Sequence, residues 1–195
     1  MSTATINPVR LDLGCGQRPA AGFAGVDMYH PAAEYRFNLL RFPWPLETGS
    51  VDELRSSHFV EHIPACYVSG SSIPQDESDI DLWCAFFAEC WRVLKDGGEM
   101  HVIVPYLKSH RAFQDPTHRR FLCEASFNYL NRAWRVRHGL NHYLGDSDFD
   151  ILEAKCASTA IESAFSSEDA GQRSLYLWDT LLDMSVRMVA RKARV

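Results

Sequence analysis

Val9-Arg10-Leu11-Asp12-Leu13-Gly14-Cys15-Gly16, followed by Gly25-Val26-Asp27, is the stretch that decides the fold. It reads as a buried strand running into a glycine turn, a short connection, and a second strand that ends on a carboxylate. Gly14 and Gly16 lack a Cβ, so the backbone there can take positive φ and admit a ligand at close range. Asp27, ending the neighbouring strand, can accept hydrogen bonds from the two hydroxyls of a ribose. The arrangement points to an adenosine-containing ligand. A dinucleotide fingerprint has a third glycine three positions after the second and an acidic residue about 20 residues further on. Here Pro19 stands in the third position and Asp27 comes too early. Gln17 to Ala24, interrupted by Pro19 and Gly22, leaves room for about one helical turn, which disfavours a diphosphate cradle at the start of a long crossover helix.

Working outward, 195 residues fit one domain, and 46% hydrophobic with 23% charged residues match ordinary soluble globular proteins, which sets aside disordered and fibrous classes. No apolar run reaches the length of a membrane span, and Met1 to Asn7 has neither a basic start nor an apolar signal core, so a cytoplasmic chain without a membrane partner is expected. Six scattered cysteines, with no Cys-x-x-Cys pair, read as buried thiols rather than a zinc or redox framework. A net charge of −5 argues against a generic nucleic-acid binder, although a nucleic-acid partner stays possible. The charge is uneven: from Tyr106 to His138 seven cations (Lys108, Arg111, Arg119, Arg120, Arg132, Arg135, Arg137) face only Asp115 and Glu124.

Further along, Tyr35-Arg36-Phe37 is a plausible third strand, and the prolines of Phe42-Pro43-Trp44-Pro45-Leu46 exclude a central one. Ser50 to Ser56 predicts a strand that delivers Ser57-His58-Phe59-Val60-Glu61-His62 to its end. Tyr67 to Ser78 reads as a surface loop. Trp83, Phe86, Phe87, Cys90, Trp91 and Leu94 then form one helical stripe, with Asp79 as a cap and Gly97-Gly98 as the stop. Glu99 to Val104 predicts the next strand, so strand, helix and strand make a parallel crossover. Ala125 to Val136 is the best helical candidate in the following segment, and Phe149 to Cys156, Ser158 to Phe165 and Met184 to Ala190 read as strand, short helix and final strand.

Leu11-Asp12-Leu13-Gly14-Cys15-Gly16, Gly25-Val26-Asp27, Ser50-Val51-Asp52, Glu61-His62-Ile63 and Trp91-Arg92-Val93-Leu94-Lys95-Asp96-Gly97-Gly98, in that order, resemble class I S-adenosylmethionine-dependent methyltransferases of the small bacterial and phage type. The resemblance implies an α/β, Rossmann-like fold: one domain over residues 1–195 with a mostly parallel seven-stranded sheet, helices on both faces, and a last strand inserted antiparallel. It implies S-adenosylmethionine as cofactor. Asp12, Gly14, Cys15 and Gly16 would hold its amino-acid end and Asp27 its ribose. Met28, Asn38 and Leu39 would also contact the cofactor, with the Asn38 carbonyl facing the adenine amino group, and Ser57 and His58 would lie near the methionine arm.

The segment 106–148, an insertion after the fifth strand, is placed to cover the crevice outside the strand ends. Its basic residues and aromatics (Phe113, Phe121, Phe127, Tyr129, Trp134) suggest a small acceptor that is anionic or bears a phosphate or sugar, with Tyr106, His110, Arg111, Arg119 and Arg120 as its binding residues. A base, where the nucleophile carries a proton, is expected in His118 held by Asp115, then in His62 or His58. Two other readings exist. One is a cofactor-binding partner or regulator without methyl transfer. The other is a zinc hydrolase, since His58-Phe59-Val60-Glu61-His62 matches the His-x-x-Glu-His pattern, although Pro64 cuts the helix that pattern needs and a distal third ligand is required.

Overall fold

The computed structural model describes residues 9–65, 81–158 and 166–192. Strand β1 (Arg10–Leu13) is buried from its second residue onward. It pairs in parallel with β2 (Ala24–Val26) on one side and β3 (Val51–Ser57) on the other. That position explains its unbroken burial, since a central parallel strand is covered on both faces. β3 pairs in parallel with β4 (Leu94–Pro105), and β6 (Leu181–Ala190) then inserts antiparallel between β4 and β5 (Phe149–Ser158). The order across the sheet is β2-β1-β3-β4-β6-β5.

Six strands are described where seven were expected, because Tyr35-Arg36-Phe37 contributes only a bridge from Tyr35 to Val26. Tyr35 N donates to Gly25 O at 3.0 Å and Asp27 N to Tyr35 O at 3.1 Å, after which the chain leaves the sheet. Phe37 turns instead toward Trp44, ring centroids 6.0 Å apart, and Trp44 reaches Phe86 at 5.7 Å. Phe37 is thereby half-buried against the core that holds Trp44 and Phe86, apolar burial that stabilises its departure from the sheet edge.

Helix α1 (Leu82–Val93) carries the predicted stripe inward: Leu82, Trp83, Phe86, Phe87, Cys90 and Val93 are buried. Its cap is Asp81, whose carboxylate accepts from Trp83 N and Cys84 N. Asp79, the cap expected from sequence, lies outside the described residues, as do Met1 to Asn7, Cys66, the loop Tyr67 to Ser78 and nearly all of the helix expected over Ser158 to Phe165. Trp91 leaves the stripe to donate its Nε1–H to Arg191 O, and Leu94, though buried, already begins β4.

Ala125 to Val136 is not one helix. A 3-10 turn (Glu124–Leu130) and α3 (Arg132–Arg137) meet at Asn131, whose extended backbone ends the first and whose Oδ1 caps Trp134 N of the second. A four-residue helix, α2 (Arg111–Gln114), precedes them, and α4 (Ser167–Tyr176) follows β5. Among the described residues no helix is long and apolar enough to cross a membrane.

Candidate functional site

β1 lies between strands reached from opposite directions, so the sheet has its switch point at the C-terminal end of β1, where ligands bind in such sheets. Gly14 and Gly16 take φ of 70° and 56° there. Gly14 N and Cys15 N both donate to Val26 O, at 2.8 and 3.3 Å, tying the turn to β2. A Cβ on Gly14 would stand 2.6 Å from the Phe59 ring, whereas one on Gly16 would meet nothing within 4 Å among the described residues, so Gly16 borders open space there.

Asp27 organises the far side of the turn. Its Oδ2 accepts from Gly16 N at 3.1 Å, and its Oδ1 from Tyr29 N at 2.8 Å and His30 N at 2.9 Å. Burial pushes its carboxyl pKa up, but the donors from Tyr29, His30 and Gly16 outweigh that and hold it below the ordinary 3.8. The carboxylate is therefore charged at neutral pH and keeps lone pairs for further donors. A cleft of about 280 Å³ opens beside it, lined by Gly14, Asp27, Met28, Tyr29, Phe37, Asn38, Leu39, Leu40 and Phe59. Asn38 Oδ1 already accepts from Leu40 N at 2.9 Å, leaving one lone pair of that carbonyl for a ligand.

Asp12 is placed differently from the cleft residues. It is 1% exposed, and its oxygens accept from Arg55 Nη1 at 2.9 Å and Ala20 N at 2.8 Å, so it folds the 14–20 turn back onto the sheet. The Cys15 thiol packs within 2.6 Å of where a Cβ on Gly25 would be, and burial, then Asp12 and Asp27, raise its pKa. Phe59, which sequence reading passed over, forms a wall of the cleft; only the three-dimensional contact with Gly14 reveals it.

A second cluster assembles past the end of β3. Ser57 is the last residue of that strand, and His58, with N–H donating to Ile103 O at 2.9 Å, has φ of 54°. Left-handed backbone is uncommon for a non-glycine residue and recurs at functional sites. The turn Val60–His62 then brings Glu61 inward, its carbonyl accepting from Arg119 N at 2.7 Å and Arg120 N at 2.9 Å. Through these bonds the segment after α2 is pinned over the end of β3. His62 and His118 meet with ring centroids 4.6 Å apart, and His118 Nε2 stands 4.0 Å from Glu61 Oε1. His58 Nδ1 lies 3.3 Å from the same oxygen and its Nε2 4.0 Å from Asp183. Glu61 raises the His58 pKa against the opposing effect of burial.

The carboxylate expected beside His118 is placed elsewhere: Asp115 Oδ1 accepts from Thr117 N at 2.8 Å and Thr117 Oγ1 at 2.7 Å, while His118 Nδ1 bonds Ala112 O at 2.9 Å. The cations of the segment are largely engaged within the chain. Arg111 pairs with Asp183 and His110 with Asp179. Arg120 binds Ile63 O and Pro64 O at 2.9 Å each and Asp81 at 3.0 Å. Lys108 bonds Ser174 O and Leu175 O. Arg135, fully buried, bonds the carbonyls of Tyr129, Gly145 and Ser147, and burial lowers its pKa. Arg119 is exposed. Tyr106 bridges to Leu122, and burial, then Glu124, raises its phenol pKa. Of the expected aromatics, Phe127 is core, whereas Phe113 and Phe121 are exposed and stacked at 4.6 Å.

The zinc-hydrolase pattern does not form. His58 sits at a strand end with left-handed backbone, and the helix it would share with His62 is a three-residue 3-10 turn.

No protein-family model and no curated protein matches the sequence. Solved structures do match by shape. An S-adenosylmethionine-dependent methyltransferase from Archaeoglobus fulgidus aligns with TM-score 0.53 at 16% identity, over 93% of this chain and 86% of that one. One from Mesorhizobium loti aligns with TM-score 0.50 at 13% identity, over 94% and 91%. A chain from the complex of the Haloferax volcanii Trm112 methyltransferase activator with a methyltransferase aligns with TM-score 0.55 at 13% identity, over 97% and 84%. By sheet order, the antiparallel β6 and these likenesses, the chain has the Rossmann-like fold of the class I S-adenosylmethionine-dependent methyltransferases.

Proposed function

We propose that this chain transfers a methyl group from S-adenosylmethionine to a small acceptor. The observation that carries the reading is the cleft at the switch point, where the charged Asp27 and the open Gly16 turn face apolar walls from Phe37, Leu39 and Phe59. These residues fit the cofactor's parts. Asp27 would accept from the ribose hydroxyls, the apolar walls would cover the adenine, Met28 would close the mouth, and the remaining Asn38 lone pair would meet the adenine amino group. Gly14, Cys15 and Gly16 would border the amino-acid end and Ser57 the methionine arm, with Asp12 holding the turn's shape from behind.

The cofactor supplies an activated methyl on a good leaving group, so the protein's task is to orient the acceptor and exclude water. The acceptor would enter between the end of β3 and the segment 106–148. His58, His62 and His118 would position it there and take a proton where its nucleophile carries one. Asp115 acts on this group through Thr117 and His62. Because Arg111, Arg120 and His110 have carboxylate partners within the chain, the preference for an anionic or phosphate- or sugar-bearing acceptor rests chiefly on Arg119, with Tyr106 as a further proposed contact. The reading includes a cytoplasmic, single-domain enzyme.

Calorimetric titration of the chelator-treated chain with S-adenosylmethionine tests the cofactor, with binding expected for the natural chain and lost in Asp27→Ala. Screening metabolite extracts with methyl-labelled cofactor then tests turnover. Binding without any labelled product would favour a cofactor-binding regulator, and no binding would remove both readings.

A further inference from the structure

We propose that Glu61, His62 and His118 form a binding site for a divalent transition-metal ion of the zinc class, between the turn after β3 and the segment after α2. One ligand atom from each of the three residues lies within 4.8 Å of the others. Two imidazole nitrogens and a carboxylate oxygen are a donor set zinc takes, with a fourth position left for water or substrate.

The Glu61 side chain is 2% exposed, yet among the described residues neither of its oxygens accepts a well-directed hydrogen bond; the nearest donor is His58 Nδ1, 3.3 Å from Oε1. Burying a carboxylate that has only His58 as a long, poorly directed partner is costly, and a metal cation held by it would remove that cost. The backbone cannot easily carry the group away, because the Glu61 carbonyl is held by Arg119 N and Arg120 N.

The hydrogen bonds around the two histidines fix which nitrogen is free. Ala112 O is only an acceptor, so His118 Nδ1, 2.9 Å away, must carry a proton, which leaves Nε2, 4.0 Å from Glu61 Oε1, as the lone-pair nitrogen of the neutral ring. Thr117 Oγ1 gives its own proton to Asp115 at 2.7 Å, so toward His62 Nδ1, at 3.0 Å, it can only accept. The His62 Nε2 lone pair is thereby free as well. Glu61 and the two imidazoles, whose rings are 4.6 Å apart, thus form one donor cluster, and each imidazole donates its other N–H to a carbonyl or hydroxyl, the outer arrangement that orients metal-binding histidines.

This differs from the sequence pattern His-x-x-Glu-His: His58 is not a ligand, Glu61 is, and the distal ligand is His118. The site lies two residues beyond Phe59, which lines the cofactor cleft, so a bound ion would face the acceptor in place of a free imidazole. The inference does not depend on methyl transfer.

The test is metal uptake by the full chain without added cofactor. After chelator treatment the protein is equilibrated with zinc, dialysed and measured by elemental analysis, and separately titrated with cobalt while the visible spectrum is read. One zinc per chain and cobalt bands of tetrahedral intensity, free of thiolate charge transfer, are expected. Glu61→Gln and His118→Ala, checked for fold by circular dichroism, should weaken zinc at least 100-fold. Thr117→Val should weaken it about 10- to 100-fold. His142→Ala, which removes an exposed histidine elsewhere, should change nothing. No zinc on the natural chain, thiolate bands with cobalt, or undiminished uptake by a folded Glu61→Gln or His118→Ala chain overturns the proposal. If those two variants fail to fold, the natural chain's cobalt spectrum and Thr117→Val decide it. Zinc uptake without cofactor binding would separate this inference from the methyl-transfer reading.

Discussion

Asp27 is the residue on which sequence and structure meet most directly. Its three backbone N–H donors are charge-assisted, and such bonds contribute about 1.5–3 kcal/mol each with incomplete additivity, so Asp27→Ala should lower unfolding free energy by about 2–4 kcal/mol in urea titrations near neutral pH. The native carboxyl pKa lies below its ordinary 3.8, so this stabilisation is present above that value and is lost as pH falls through the lower native value. The stability gap between the natural chain and Asp27→Ala should therefore be full at about pH 6–7 and shrink in acid. A gap that widens on acidification would contradict the assignment. Gly14→Ala combines φ of 70° with a Cβ 2.6 Å from the Phe59 ring and should cost about 1–3 kcal/mol, while displacing a wall of the cleft. The sequence made Gly14 and Asp27 legible because glycine and a strand-end carboxylate have narrow conformational uses. It hid Phe59 and the engagement of Asp12, which depend on partners 45 and 43 positions away (Gly14 with Phe59, Asp12 with Arg55).

At the scale of elements, the α1 stripe was readable because six apolar residues at helical spacing allow one buried face. The helix expected over Ala125 to Val136 broke because Asn131 can cap as well as propagate, and its Oδ1 is committed to Trp134 N. The third strand failed for a tertiary reason, the pull of Phe37 toward Trp44. The basic segment shows the same limit, since charge counts do not say where a guanidinium is held. Arg120 ties the turn after β3 to the N-terminus of α1 through Ile63 O, Pro64 O and Asp81. Arg120→Ala should thus destabilise the fold by about 2–3 kcal/mol, measured by urea unfolding, because it frees two carbonyls and weakens the cap partner. Arg119→Ala, whose side chain is exposed, should leave stability within about 0.5 kcal/mol and instead raise the KM for an anionic acceptor. If the two variants exchanged these effects, Arg120 rather than Arg119 would be the acceptor's contact.

Across the whole molecule, the sheet order sets the cleft and the histidine cluster side by side, because β1 and β3 are adjacent and both end at the same edge. Cofactor binding at that edge should be felt by the entire cooperative unit. A ligand bound to the native state alone stabilises by about 2.7 kcal/mol at 100 times its Kd, and a chain of this size gains about 2–4 °C in Tm per kcal/mol. Saturating S-adenosylmethionine should therefore raise Tm by about 5–10 °C in a thermal-shift measurement. S-adenosylhomocysteine should act comparably, since the cleft holds the nucleoside and amino-acid parts that both share. NAD should give no shift, because Pro19 and the short path from Gly16 to Asp27 leave no glycine turn leading into a long helix for its diphosphate. In Asp27→Ala the S-adenosylmethionine shift should vanish even though the lower starting Tm leaves ample room for one. A persistent shift there would place the cofactor away from the turn between β1 and β2, and a shift with NAD alone would return the cleft to the dinucleotide class.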